Sequence, residues 1–475
     1  MSLAKARILI ALLVVGSSLQ ATTYFVDING NNGNGLSWSN AKTSLASAIS
    51  ASSTGDEILV KYGSYPITNS MSIYTNRKIT SDDGTASSFD TAQPDSSQCI
   101  MQGDYLSSRI FRVYSSNITN DCRIRGLKIT GGNASYESYW AAAGGGLVVY
   151  DGASPIIEQC WITDNYGNTD NSPGSGSPGG AMFFDDVTDV VLRNCLVSNN
   201  VATTDEYYGG SGGGVYIDGS ATLEGNIFRS NIAVRSAGSQ YYSASGGAVL
   251  HRNGTLVFTG NLVEGNAAVS RSVSWDRAAW GISCSGGGVD LSSASVGIIR
   301  NNIFKNNVAL LCPDYNQYTG QGSSGSAGAL NANSVSSLIE NNTFIGNNGR
   351  SIYAYSATSS SGALTFGTND VVRNNIFVDN DDNSEYAIKS YPNGLGIAYN
   401  SFYDNSVNYE AGIISTNEIL TSPEFVDAAG GNYALLETSP CIDAGDPTTD
   451  ITDFPLDFGG GFRMRHGTID IGAFE

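Results

Sequence analysis

An eight-residue pattern recurs eight times along this 475-residue chain, and such recurrence dictates a stack of like units. Its clearest copy runs from Arg300 to Asn307, RNNIFKNN. With the second Asn as reference, that position holds Cys160, Cys195, Asn226, Asn261, Asn302, Asn342, Asn375 and Asn400. Two residues later come Ile162, Val197, Phe228, Val263, Phe304, Phe344, Phe377 and Phe402. Five residues later every copy has Asn, from Asn165 to Asn405, and three residues earlier every copy is apolar. Successive copies lie 25 to 41 residues apart, so rigid cores alternate with inserts of variable length.

The apolar residues alternate in short runs punctuated by Gly and Asn, and no copy shows a helical period; this is the signature of strands and turns. Identical coils stacked in register bring like residues ~4.8 Å apart, so apolar columns build a core and Asn columns hydrogen-bond along the stack. The expected fold is all-β: a single-stranded, right-handed parallel β-helix. A second motif sets the same register. Gly145, Gly180, Gly213, Gly247, Gly287, Gly328 and Gly362 each stand two residues before an apolar residue, which predicts a bend of positive φ or a close backbone approach.

Residues 1–21 read as a secretory leader: Lys5 and Arg7 precede the apolar run Ile8 to Gly16, and Ala21 suits cleavage. Residues 22–80 are expected to form an N-terminal cap and first coils, with a helix between Ser39 and Ser52 burying Leu45, Ala46 and Ile49. The β-helix proper is placed at 81–408, and 409–475 breaks the repeat. A net charge of −20 excludes a phosphate-backbone binder, which needs a basic face. The mature chain is expected to be exported, monomeric and without a transmembrane segment.

Seven cysteines in an exported chain permit disulfides. Cys284 and Cys312, in neighbouring inserts, are the disulfide candidates; Cys160 and Cys195 share a column as either buried thiols or a bridge. A catalytic Cys lacks a base in context, since the histidines are His251 and His466. Two residues before the reference position stand Glu158, Arg193, Glu224, Thr259, Arg300, Glu340 and Arg373, which read as an exposed ion-pair ladder between coils.

The inserts all leave a coil at one point and therefore emerge along one edge. They carry Tyr207, Tyr208, Tyr241, Tyr242, Trp275, Trp280, Tyr315 and Tyr318, residues suited to stacking on sugar rings, contacting a protein partner, or covering the coil. Catalysis has weaker candidates: the Asp185-Asp186 doublet inside a coil, and Arg271 with Asp276 in an insert. No cofactor is required; Asp443, Asp446 and Asp470 could gather around Ca²⁺ or simply cap turns.

The series FVD at 425–427, SPCIDAGD at 439–446 and DIGAFE at 470–475 resembles the choice-of-anchor Q region of secreted bacterial β-helix proteins. The GGA and FxxN motifs, as at Gly246-Gly247-Ala248 and Phe304 to Asn307, are similar to those of polymorphic outer membrane proteins. The resemblances imply a pectin-lyase-like β-helix outside the cell. The function expected is adhesion or surface interaction through a polysaccharide or surface protein; the alternative is a polysaccharide lyase or glycoside hydrolase acting on an acidic polysaccharide such as pectin.

Overall fold

A computed structural model describes residues 21–475 except 106–107, 135–142, 168–177, 203–209, 236–243, 273–282, 314–323, 326, 333–335, 352–359, 381–385, 393 and 466. The leader-like stretch and the tips of the inserts thus lie outside the described residues. The chain forms a parallel β-helix whose coils stack in register: Phe304 pairs with Phe344, Phe344 with Phe377, and Phe377 with Phe402. One face is a 19-stranded sheet, a second an 11-stranded sheet of three- and four-residue strands, and a third a 5-stranded sheet from which the inserts leave.

Two left-handed residues flank the repeat strand of each coil, and these account for the Asn-rich pattern. The residue before the reference position has positive φ in every copy, as at Asn194, Asn301, Asn341 and Asn374; so does the fourth residue after it, as at Asn199, Asn306 and Asp379. Asn, Asp and Gly tolerate that conformation best. Between the two bends runs a three-residue strand such as Ile303–Lys305, whose middle residue faces the core.

Inside, Phe304 and Phe344 stack at 4.8 Å, Phe344 and Phe377 at 4.9 Å, and Phe377 and Phe402 at 5.1 Å, all within 9° of parallel. Beside them runs the first Asn column. Asn342 Nδ2 donates to Asn375 Oδ1 at 3.0 Å, and Asn302 Nδ2 donates to Asn342 Oδ1 at 2.9 Å. A second column runs through Asn165, Asn200, Asn231, Asn266, Asn307, Asn347 and Asn380. Cys160 and Cys195 extend the first column as reduced, buried thiols: the Cys160 N–H reaches Cys195 Sγ at 3.3 Å. Cys284 is buried beside Ala244, Ala268 and Ala309, with its Sγ 3.1 Å from the Leu310 carbonyl; the Cys312 side chain lies outside the described residues.

The bend at the Gly motif splits its two expected properties between neighbours. Positive φ falls on the preceding glycines, such as Gly212 and Gly246, while the motif glycines themselves sit against backbone: a Cβ on Gly247 would meet the Gly287 carbonyl at 2.1 Å. At the N-terminal end the helix is shorter than expected, Leu45–Ala51, with Ser44 accepting from the Ser47 N–H. It buries Leu45, Ala48 and Ile49, whereas Ala46 is exposed, because i, i+3, i+4 spacing selects Ala48.

The charged ladder differs from expectation in depth and continuity. Glu158 sits between Arg123 and Arg193, and Glu340 between Arg300 and Arg373. Glu340 is fully buried, so these are not surface pairs, and truncating one partner would strand a desolvated charge. The sequence reading missed a second row three residues after the reference position, where Glu264 bridges Arg229 and Lys305.

Residues 409–419 add a partial last coil, with Ile414–Thr416 pairing to Gly396–Ala398. The remainder lies lengthwise on the outside of the 11-stranded sheet. There Ile303 packs with Tyr433 and Ala473 and Ile376 with Cys441 and Ile471, while Arg373, at the end of a strand of the 19-stranded sheet, pairs with Asp446 at 2.8 Å. Among the described residues no helix is long and apolar enough to cross a membrane.

Candidate functional site

The strand after each Gly motif alternates inward and outward, and stacking turns its outward positions into columns on the surface. One column can be followed coil by coil. Tyr150 pairs with Tyr114, and Tyr74 follows the strand that pairs Ile73 with Val113. In the other direction, Val149 pairs with Phe184, Phe184 with Ile217, and Ile217 with His251, so the residues that follow are Asp185, Asp218 and Arg252. The surface therefore reads Tyr74, Tyr114, Tyr150, Asp185, Asp218, Arg252.

The tyrosines touch. Tyr114 and Tyr150 stack at 5.2 Å and 15°, and Tyr74 leans on Tyr114 at 6.3 Å and 42°. Stacked neighbours cover each other's faces, so Tyr114 and Tyr150 offer ring edges and hydroxyls; Tyr74, 53% exposed, keeps ring surface open. Burial, ahead of any charge effect, pushes the Tyr150 phenol above its ordinary value, so it remains a hydrogen-bond donor at neutral pH.

Asp185 sits at a bulge. Phe184 pairs with Ile217 and Val187 with Gly219, so Asp185 and Asp186 together face Asp218, and Asp186 takes φ 52°. Burial pushes the Asp185 carboxyl up, the carboxylates of Asp218, Asp186 and Asp151 push it further, and Arg252 partly offsets them. Asp218 Oδ1 accepts from the Asn253 amide at 2.6 Å. The Arg252 guanidinium donates to the Tyr216 hydroxyl at 3.0 Å, and Tyr216 lies 5.1 Å from Phe183.

Two residues before this column runs another, through Phe183, Tyr216, Leu250, Asp290 and Asn331. Asp290 is buried, accepts from the Asn331 amide at 2.7 Å and from the Ser245 hydroxyl, and burial pushes it up to about 6. A carboxyl whose folded value is raised contributes stability that is whole below its unfolded value of 3.8 and lost as pH rises through about 6. Asp290→Asn keeps an oxygen for Asn331 and a donor for Ser245. It is expected to stabilise the fold by ~3 kcal/mol at neutral pH and to remove that pH dependence, as read by urea midpoints across pH. Equal midpoints for both proteins at neutral pH would refute it.

Of the other residues singled out from the sequence, Asp446 bonds Arg373 and Thr448, and Asp470 Oδ1 accepts from the Asp443 N–H. Among the described residues no group of three or more His, Cys, Asp or Glu side chains could hold a metal ion. His251 is buried in the coil with Nε2 2.9 Å from the Gly219 carbonyl, and burial lowers its basicity. Tyr207, Tyr208, Tyr241, Tyr242, Trp275, Asp276, Trp280, Tyr315, Tyr318 and the Arg271 side chain lie outside the described residues. The stems of the inserts stack as expected, Ala267–Ser272 pairing with Val308–Pro313. The inserts that return at Ala143, Pro178, Gly210 and Ala244 enter the Gly motif directly before the strands bearing Tyr150, Asp185, Asp218 and Arg252, so their stems border that face.

No family model and no curated protein matches this sequence. Among solved structures the chain is similar to the pectate lyase Pel9A, at 16% identity over 95% of this chain and 96% of that one, with a TM-score of 0.35. An alginate lyase from Paenibacillus sp. str. FPU-7 aligns at 12% identity over 78% of this chain and 96% of its own, with a TM-score of 0.26. The GH136 lacto-N-biosidase from Eubacterium ramulus aligns at 12% identity over 84% and 68%, with a TM-score of 0.34. Likeness at that level carries no information on this chain's chemistry.

Proposed function

We propose that this chain is an exported glycan-binding β-helix protein, whose ligand lies across successive coils on the face that carries Tyr74, Tyr114 and Tyr150. The observation that supports the reading most is the contact among those three side chains from three coils. They line a strip of phenol hydroxyls and ring edges spaced by the ~4.8 Å coil rise, which suits a polymer of polyhydroxylated rings better than a single small molecule. Export rests on the leader-like residues 1–21 and on the choice-of-anchor Q resemblance of 425–475.

Glycan-array binding of the intact chain, followed by titration of the strongest hit, tests the reading. Tyr114→Ala removes the central ring and is expected to weaken that hit about tenfold, ~1.4 kcal/mol, without lowering the melting temperature appreciably. Unchanged affinity would remove the tyrosine strip from the site.

A further inference from the structure

We propose that Asp185 and Asp218 hydrolyse a glycosidic bond in a neutral glycan, with Asp185 as proton donor and Asp218 as nucleophile. The proposal rests on the glycan-binding reading above and adds an activity to it.

Placement comes first. The coil after Tyr150 contributes Asp185 and the next contributes Asp218, so a glycan lying along Tyr74, Tyr114 and Tyr150 continues across both carboxylates. The site draws on four successive coils: Tyr150, then Phe183 with Asp185, then Tyr216 with Asp218, then Arg252 with Asn253. It therefore combines aromatic surface, two acids, a cation and an amide, the mixture needed to hold a sugar and move a proton.

The two acids also sit in unlike surroundings. Asp185 is half-buried among like charges, which favours its protonated form, while Asp218 accepts the Asn253 amide hydrogen on one oxygen, which fixes its orientation and leaves the other oxygen to bond carbon. Adjacent coils are ~4.8 Å apart, close to the ~5 Å separation of paired carboxyls in double-displacement hydrolysis.

The steps balance. The Asp185 proton passes to the leaving glycosidic oxygen as the anomeric C–O bond breaks, and an Asp218 oxygen bonds the anomeric carbon. Water then attacks that carbon, the ester to Asp218 breaks, and the proton lost by water restores Asp185. One water is consumed, one glycosidic bond is cut, and configuration is retained. The substrate class follows from charge: Asp151, Asp185, Asp186 and Asp218 surround the scissile position on a chain of net charge −20, so a uronate polymer is repelled.

The experiment uses the full chain with reducing-end-labelled oligosaccharides of xylan, galactan and mixed-linkage β-glucan, with polygalacturonate as the anionic comparison. Expected is cleavage of at least one neutral oligosaccharide, with retained anomeric configuration by NMR. Asp185→Asn and Asp218→Asn should each lower kcat about a hundred-fold or more, with KM little changed and the melting temperature kept. Tyr114→Ala should raise KM instead. Cleavage of polygalacturonate alone, inverted product, or full activity in Asp185→Asn overturns the proposal. Binding without cleavage of any neutral oligosaccharide overturns it while leaving the glycan reading intact. Absence of binding and of cleavage overturns both.

Discussion

Asn342→Ala is expected to cost ~3–5 kcal/mol, a large share of what holds the C-terminal coils together. The Asn342 amide is fully buried and makes five hydrogen bonds. Its Nδ2 donates to the Ile299 carbonyl at 2.8 Å, the Glu340 carbonyl at 3.1 Å and Asn375 Oδ1 at 3.0 Å. Its Oδ1 accepts from the Asn302 N–H at 3.0 Å and from Asn302 Nδ2 at 2.9 Å. Alanine leaves two donors of Asn302 without an acceptor in a site closed to water, and each orphaned group costs ~1–3 kcal/mol. Asn342→Asp should be worse at neutral pH, because a second acceptor would face the Ile299 carbonyl and carry a buried charge. Urea denaturation followed by circular dichroism measures both. A midpoint for Asn342→Ala within error of the parent would show that the Asn column is not what ties the coils.

That column was legible in the sequence because its chemistry repeats. An Asn that must bond the next Asn leaves the same letter in every coil, and the left-handed bends on either side admit few residues, so Asn301, Asn341 and Asn374 recur too. The phenylalanines recur for the same reason, each ring needing a ring above it. The Tyr–Asp–Arg column leaves no such trace. Its positions face solvent, each coil fills them differently, and Tyr114 and Tyr150 become neighbours only once the register is known. The doublet Asp185-Asp186 was visible, but its partner Asp218 lies a coil away and out of step, because the bulge sets two residues against one. Periodicity likewise gave no reason for 420–475 to lie along the flank. The hint is compositional: Ile303 and Ile376 point outward from their strands yet are apolar, and each packs against that segment.

Arg463→Leu tests how that segment is held, and it should undock the segment without melting the coils. The Arg463 side chain is fully buried, and burial lowers its basicity to about 10, so it still carries its charge at neutral pH. Its Nη2 donates to the Gly472 carbonyl at 2.8 Å and to Asn301 Oδ1, while Nη1 lies 4.0 Å from Glu475 Oε2. One guanidinium thus joins two stretches of the segment, around Arg463 and Gly472, to the left-handed bend of the Asn302 coil. Leucine fills part of the volume but leaves those oxygens without their donor and Glu475 without its nearest cation, a loss of ~3–5 kcal/mol for breaking a buried ionic contact. The coil ladder does not pass through Arg463, so the loss falls on docking. Opening of the segment should rise about a hundred-fold or more, read as faster limited proteolysis between 440 and 470, while the urea midpoint of the β signal shifts little. An unchanged cleavage rate would mean that the apolar contacts of Tyr433, Cys441 and Ile471 hold the segment by themselves. A coil midpoint that fell with it would instead make the segment part of the cooperative core.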